Sequence, residues 1–284
     1  MNESLKNEPQ NSSNVFSENI IQAEHLYKKF KLEAGAFAHT DKMVYAVNDV
    51  SFAIKRGETY GLVGESGCGK TTTARMLIGM YTADSGRILY SSKNDAVEIS
   101  ELKGRELKNY REKVKYVFQD PAKSLNPRMS VYSVLTTGLR YSSQWKGEKD
   151  AKERAVQIIE EVGLTGDDLE KRPAEFSGGQ RQRISIARAL IMNPDFMICD
   201  EVVSALDVSI QAQILNLLSK IRRERNLSML FITHDLKVAC YFCDRIGVMY
   251  KGSLIEEKPA AEIYRNAEND YTKKLFAGAN YKAF

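Results

Sequence analysis

Cysteine is scarce in this 284-residue chain: Cys68, Cys199, Cys240 and Cys243 are the four, and their spacing is not that of a disulfide framework. That excludes a small scaffold stapled by bridges and fits a reducing cytosol. The one close pair, Cys240-Tyr-Phe-Cys243, has no second pair or histidine cluster to accompany it. It is read as the buried face of a helix, free cysteine being a small hydrophobe, and not as half a metal site. No apolar run approaches the roughly 20 residues needed to span a bilayer, and the first residues lack the charged-then-apolar order of a secretory signal. Work at a membrane is therefore expected of a peripheral subunit. Charge does not lean either way: 41 Lys and Arg stand against 37 Asp and Glu, a formal +4. That balance is too even for an extended nucleic-acid surface. Internal repeats are missing as well. What remains is a globular chain with 43% apolar residues, enough for one large or two small domains.

Periodicity divides this chain. Residues 1–19, rich in Asn, Ser and Glu, read as a mobile tail. A strand is predicted from Ile20 towards Phe30, two short strands at Val44–Val47 and Val50–Ile54, and an irregular loop over 32–42 between them. Thr59–Val63 is a buried strand, and a helix is predicted from Lys70 to about Met80. A charged helix over Leu102–Lys113 precedes a strand at Val114–Phe118. Helical spacing then runs without a strand through Val131–Tyr141, Ala151–Val162 and Gln180–Met192, the pattern of an inserted helical subdomain. Strands return at Phe196–Cys199, Leu230–Thr233 and Arg245–Met249.

Between the strand ending at Val63 and the helix opening at Lys70 lies Gly64-Glu65-Ser66-Gly67-Cys68-Gly69-Lys70, followed by Thr71 and Thr72. Strand, glycine loop, helix is the setting of a phosphate-binding loop. Gly64, Gly67 and Gly69 let backbone N–H groups curl towards a triphosphate, which the helix N-terminus also favours. Lys70 adds a charge for the β- and γ-phosphates, and the Thr71 hydroxyl is placed for magnesium. A second element, Ser177-Gly178-Gly179-Gln180, repeats this logic at another helix start but has no lysine. It is suited to completing a site, most naturally that of a neighbouring subunit. Asp200 and Glu201 follow a buried strand, where Asp200 can hold magnesium, directly or through water, and Glu201 can polarise the attacking water.

With these motifs in this order, the chain resembles the ATP-binding-cassette ATPases over about residues 20 to 275. The resemblance implies an α/β fold: a P-loop NTPase (RecA-like) core with an antiparallel β subdomain and an inserted α-helical subdomain. The ATPase domain is expected over 20–258, its helical part at about 121–192, with a C-terminal tail over 259–284. ATP and Mg2+ are the implied cofactors. By family position, Gln119 contacts both magnesium and the attacking water, His234 meets the γ-phosphate, and Ser204–Asp207 links the two sites of a dimer. Phe30 occupies the place of the adenine-stacking aromatic, with Tyr45 as the rival.

Two longer runs, Gln119–Arg128 and Asp200–Gln213, look like the ATPase subunits of oligopeptide, dipeptide and nickel importers. Such a machine implies a second, related ATPase, two membrane permeases and an extracellular solute-binding protein, with this subunit peripheral on the cytoplasmic face of the membrane. The run Ser124–Met129 is expected to dock a cytoplasmic helix of a permease. Two departures from the subfamily pattern are Val202, where Pro is usual, and the tail Tyr271-Thr272-x-x-Leu275 without a preceding His-Pro. A repair or translation ATPase would show a long coiled coil or a second cassette, and an exporter a fused membrane domain. A non-transport ATPase or an exporter subunit of this family stays the alternative, and the solute stays open among peptides, metal chelates and oligosaccharides.

Overall fold

The computed structural model describes residues 18–31, 43–92 and 96–278. Most of the expected tail and the loop expected over 32–42 lie outside the described residues. In chain order the strands are β1 (Asn19–Lys31), β2 (Met43–Lys55), β3 (Thr59–Val63), β4 (Ser85–Ser91), β5 (Ala96–Glu98), β6 (Val114–Val117), β7 (Phe196–Asp200), β8 (Ser228–Thr233), β9 (Arg245–Tyr250) and β10 (Ser253–Pro259). The helices are α1 (Lys70–Leu77), α2 (Gly104–Lys113), α3 (Pro121–Ser124), α4 (Val131–Arg140), α5 (Glu148–Glu161), α6 (Gly178–Leu190), α7 (Val208–Arg225), α8 (Leu236–Phe242) and α9 (Asp270–Gly278).

The strands that read as unbroken apolar runs form the centre. β3, β7 and β8 are buried at every position, as happens only when both faces of a sheet are covered. They lie in a six-stranded sheet of order β10-β9-β3-β8-β7-β6, parallel except for β10. Successive side chains point to opposite faces, and the two cores divide accordingly. Met197, Cys199, Met229 and Phe231 pack with the helical insert, α7 and α8. Phe196, Ile198, Leu230 and Ile232 pack with α1 and the antiparallel sheet β2-β1-β4-β5. The fold expected from the sequence is the fold observed.

Local readings differ in instructive ways. The two short strands predicted within 44–54 are one strand, β2. Asn48 and Asp49 interrupt the apolar pattern, but Asp49 takes a left-handed φ of 53° and the pairing with β1 slips between Val50 and Val47, so a bulge absorbs the polar pair. Between β6 and β7 the chain forms α3 to α6 with no strand among the described residues. Leu125, expected on a docking loop, is 2% exposed and belongs to the core of this insert. Its apolar side chain is spent on packing, which corrects that part of the expected surface. The C-x-x-C reading holds in part: Val238, Ala239, Phe242 and Cys243 are buried, but Cys240 is half-buried, Tyr241 faces outward, and Cys243 lies just past the end of α8.

Phe231 tests the two-core arrangement. It is fully buried in β8 and packs on Phe242 at 4.7 Å between ring centroids. Phe231→Ala is expected to lower the free energy of unfolding by about 3–5 kcal/mol in urea melts; a loss below about 1 kcal/mol would contradict the packing described.

Candidate functional site

Strand order brings the chemistry together. The segments leaving the carboxyl ends of β3, β8, β7 and β6 are far apart in sequence, yet these strands are consecutive neighbours in the sheet. Ligands of open α/β sheets bind outside those carboxyl ends. The phosphate-loop residues follow β3, His234 follows β8, Glu201 follows β7 and Gln119 follows β6.

The glycine loop is held in shape by its neighbours. Gly64, Gly67 and Gly69 have φ of 148°, 81° and 111°. A side chain on Gly64 would come within 2.2 Å of the Met249 carbonyl, and one on Gly69 within 2.2 Å of the Ala46 carbonyl, whereas Gly67 opens to free space. Two of the three are thus required by close approach and the third by backbone conformation alone. Lys70 begins α1 and is 4% exposed. Its ammonium donates to the carbonyls of Gly64 (2.7 Å) and Glu65 (2.9 Å) and lies 3.7 Å from the Cys68 sulfur. The charge therefore sits inside the curl. Glu65, Ser66 and Gly67 form the exposed rim, and Thr71 and Thr72 are partly exposed in the first turn of α1.

Asp200 is 6% exposed. The Thr71 hydroxyl lies 3.2 Å from both its oxygens, and the Tyr116 hydroxyl donates to Oδ2 at 2.5 Å. Burial pushes the Asp200 pKa up, opposed by the bonds from Tyr116 and Thr71. Burial and the Asp200 charge together drive the Tyr116 hydroxyl far above its ordinary range. Tyr116 was not among the residues expected at the site; the one signal for it was a tyrosine on a mostly buried strand, whose hydroxyl requires a partner.

Glu201 leaves β7 with a left-handed φ of 49°, and its N–H donates to the Ile232 carbonyl at 3.0 Å. Its Oε2 accepts from Gln119 Nε2 (2.9 Å) and from the Ser204 hydroxyl (3.2 Å), and His234 Nδ1 is 3.4 Å away. Three expected residues thus meet on one oxygen. Ser204 joins them, although the sequence marked it only as part of the Ser204–Asp207 run.

The residues expected to hold magnesium also converge. Thr71, Gln119 and Asp200 line one open cleft of about 440 Å³. Their hydroxyl, amide and carboxylate oxygens are hard donors, and no cluster of three or more His, Cys, Asp or Glu gathers among the described residues. One carboxylate with neutral oxygens fits magnesium shared with phosphates, which keeps few protein ligands.

The second element stands apart. Ser177 caps α6: its hydroxyl accepts from Gln180 N–H (3.3 Å) while the Gln180 amide oxygen accepts from Ser177 N–H (2.9 Å). Ser177, Gly178 and Gln180 are exposed, and Gly179 packs so closely on Ile210 that a side chain would meet its Cγ2 at 2.6 Å. That contact sets the start of α6 beside the start of α7, where Asp207 and Val208 are exposed. Among the described residues no hydrogen bond or ion pair joins Ser177–Gln180 to the glycine loop.

Phe30 is 38% exposed, packs edge-on against Tyr81 at 5.6 Å and has the Lys28 ammonium over its ring. It pairs with Val44, and Lys29 with Tyr45, so Phe30 and Tyr45 lie on opposite faces of the hairpin. Only one of the two can face a base bound on a given side.

Residues 47–204 match the family described as ABC transporter. The chain is similar to the oligopeptide transport ATP-binding protein OppF of Bacillus subtilis (strain 168), 46% identical over 261 residues, 92% of this chain and 82% of the relative. It is 45% identical over 243 residues to the oligopeptide transport ATP-binding protein AmiF of Streptococcus pneumoniae serotype 4, covering 85% and 78% of the two chains. Among solved structures it resembles the dimeric ATP-binding cassette MJ0796 bound to ADP and phosphate, with TM-score 0.72, 27% identity, and coverage of 84% and 98%.

The loop geometry makes a graded prediction. Gly67→Ala adds only an unfavourable φ and is expected to weaken ATP binding about tenfold. Gly64→Ala also drives a methyl into the Met249 carbonyl and is expected to abolish binding. Equal affinities for the two variants by isothermal titration would refute this account of the loop.

Proposed function

The chain belongs to the ABC transporter family and is an ATP hydrolase of that family, and from this premise we propose that it energises a peptide importer. The observation that carries the reading is the meeting of Gln119, Ser204 and His234 on the Glu201 carboxylate, at the sheet edge that also holds the glycine loop. The identity to oligopeptide transport ATPases over most of both chains supports the solute class.

In this proposal ATP lies with its phosphates in Gly64–Thr72 and its adenine against Phe30. Lys70 exchanges the Gly64 and Glu65 carbonyls for β- and γ-phosphate oxygens, trading neutral acceptors for charged ones. Glu201 takes a proton from water as the water oxygen bonds to the γ-phosphorus and the bond to ADP breaks. Gln119 orients that water, and His234 donates to the γ-phosphate. Thr71, Asp200 and Gln119 would hold Mg2+, which supplies charge neutralisation on the phosphates, and Tyr116 fixes the Asp200 carboxylate for that task. Ser177–Gln180 and Asp207 serve the nucleotide of a second, related ATPase, their exposure and distinct location supporting a shared site.

Coupling has a structural seat. A groove of about 380 Å³ between β6 and the insert is lined by Lys115, Phe118, Asn126, Met129, Val134 and Arg188, among others. In this reading the groove receives a cytoplasmic helix of either of two permeases, near Gln119, which joins β6 to the insert. No described helix is long and apolar enough to cross a membrane, and we place the subunit at the cytoplasmic face through those permeases, with a solute-binding protein outside.

Two experiments test the reading. Glu201→Gln, in the assembled transporter, is expected to cut turnover at this site at least about 100-fold while ATP is retained and the dimer stays closed; near-normal turnover, with the partner site inactivated, would remove Glu201 from the role. Ser177→Arg is expected to leave ATP affinity of the isolated subunit unchanged and to impair hydrolysis at the partner's site. Loss of ATP binding in that isolated, folded variant would show that the element serves its own chain.

A further inference from the structure

β9 and β10 turn back directly against the glycine loop. The Gly252 N–H donates to the Cys68 carbonyl at 2.9 Å, and the Met249 carbonyl occupies the space beside Gly64. Tyr250 ends β9, and its ring packs on that of Tyr271, 4.2 Å between centroids and tilted by 36°. Tyr271 belongs to α9, well beyond the residues that match the family. Its hydroxyl is buried and makes no hydrogen bond of normal geometry among the described residues. Burial raises the Tyr271 pKa, the Glu65 N–H opposing it and the Glu65 carboxylate adding to it.

The placement of Tyr271 is built into the C-terminal segment. The Glu256 carboxylate accepts from the N–H groups of Glu268 (2.7 Å) and Asn269 (3.2 Å). The Asn269 side chain then accepts from the Tyr271 N–H at 2.9 Å, and Thr272 and Phe276 are buried at 0% and 3% exposure. A helix of this length does not hold itself; these contacts fix it against the hairpin.

We propose that Tyr271 is a positioning residue for nucleotide binding: its ring braces the β9–β10 hairpin at Tyr250, and the hairpin in turn holds the glycine loop through the Met249 carbonyl and the Gly252 N–H. The segment after β10 thereby sets the affinity of a loop some two hundred residues earlier. This rests on the reading of Gly64–Thr71 as the nucleotide phosphate site, and the test separates the two.

The full chain is titrated with ATP as wild type, Tyr271→Phe, Tyr271→Ala and Lys70→Ala, with thermal melts and hydrogen exchange of residues 64–68. Tyr271→Phe keeps the ring and removes the hydroxyl. It is expected to keep wild-type ATP affinity, exchange and melting temperature, because that hydroxyl has no hydrogen-bond partner of normal geometry among the described residues. Tyr271→Ala, which loses the ring contact, is expected to weaken ATP binding about three- to tenfold, to raise KM for ATP without lowering kcat and to speed exchange at the glycine loop; if that variant does not fold, Tyr271→Leu, which keeps apolar volume without the ring, decides in its place. Wild-type affinity and exchange in folded Tyr271→Ala or Tyr271→Leu, together with loss of binding in Lys70→Ala, would overturn the positioning role and leave the phosphate site intact. Wild-type affinity in Lys70→Ala would overturn the phosphate-site reading, and the role of Tyr271 with it.

Discussion

A lysine ammonium that is almost wholly shielded from water must be surrounded by oxygen, because an unpaired buried charge costs far more than folding can spare. Lys70 meets this demand with carbonyls of its own loop, Gly64 and Glu65, and much of the site follows. Carbonyls can close on the ammonium only if the loop curls, and the curl needs left-handed residues at Gly64, Gly67 and Gly69. The curl must in turn be supported from outside, by Met249 and Gly252 of the β9–β10 hairpin and by Ala46 of β2. Two strands from different sheets thus clamp a loop whose sequence shows only its glycines.

The legible part of the site was the part written in local sequence. Strand, glycine loop and helix announce phosphate binding within fifteen or so residues, and a buried strand ending in Asp200-Glu201 announces a pair of carboxylates. The core strands were legible for the same reason, being apolar on both faces. Tyr116 was not, because its hydroxyl reaches Asp200 across the β6–β7 pairing, a relation that register creates and no spacing records. Ser204 was visible only as a member of a run, since nothing in Ser-Ala-Leu-Asp says that the hydroxyl turns back to Glu201. Leu125 misled for the opposite reason: an apolar residue beside Pro127-Arg128 reads as a docking surface until the insert is seen to need it as core.

The tyrosine of the C-terminal run shows a further limit of local reading. Tyr271-Thr272-x-x-Leu275 was recognisable as a motif, but its relation to the glycine loop exists only because the chain after β10 returns to set the Tyr271 ring on Tyr250, at the end of β9. Order in the sheet, β10-β9-β3, sets β9 beside the strand that leads into the phosphate loop, with β10 on its far side. The same order places β8, β7 and β6 on the other side, with His234, Glu201 and Gln119 at their ends. The glycine loop is therefore flanked by the candidate reacting groups on one side and by the β9–β10 hairpin on the other.

Glu201 shows why one position resists substitution for reasons beyond its charge. A non-glycine residue at a φ of 49° is strained by about 1 kcal/mol or more, and glycine would relieve it at the loss of the carboxylate. Aspartate tolerates the left-handed region better, yet its shorter arm would draw the oxygen back from Gln119, Ser204 and His234. The backbone bond from Glu201 N–H to Ile232 holds the turn, and the three side chains on Oε2 hold the carboxylate. Strain at the backbone and fixation at the oxygen have one effect between them: the carboxylate is held in one orientation, so in the proposed role as base little reorganisation would remain for the chemical step.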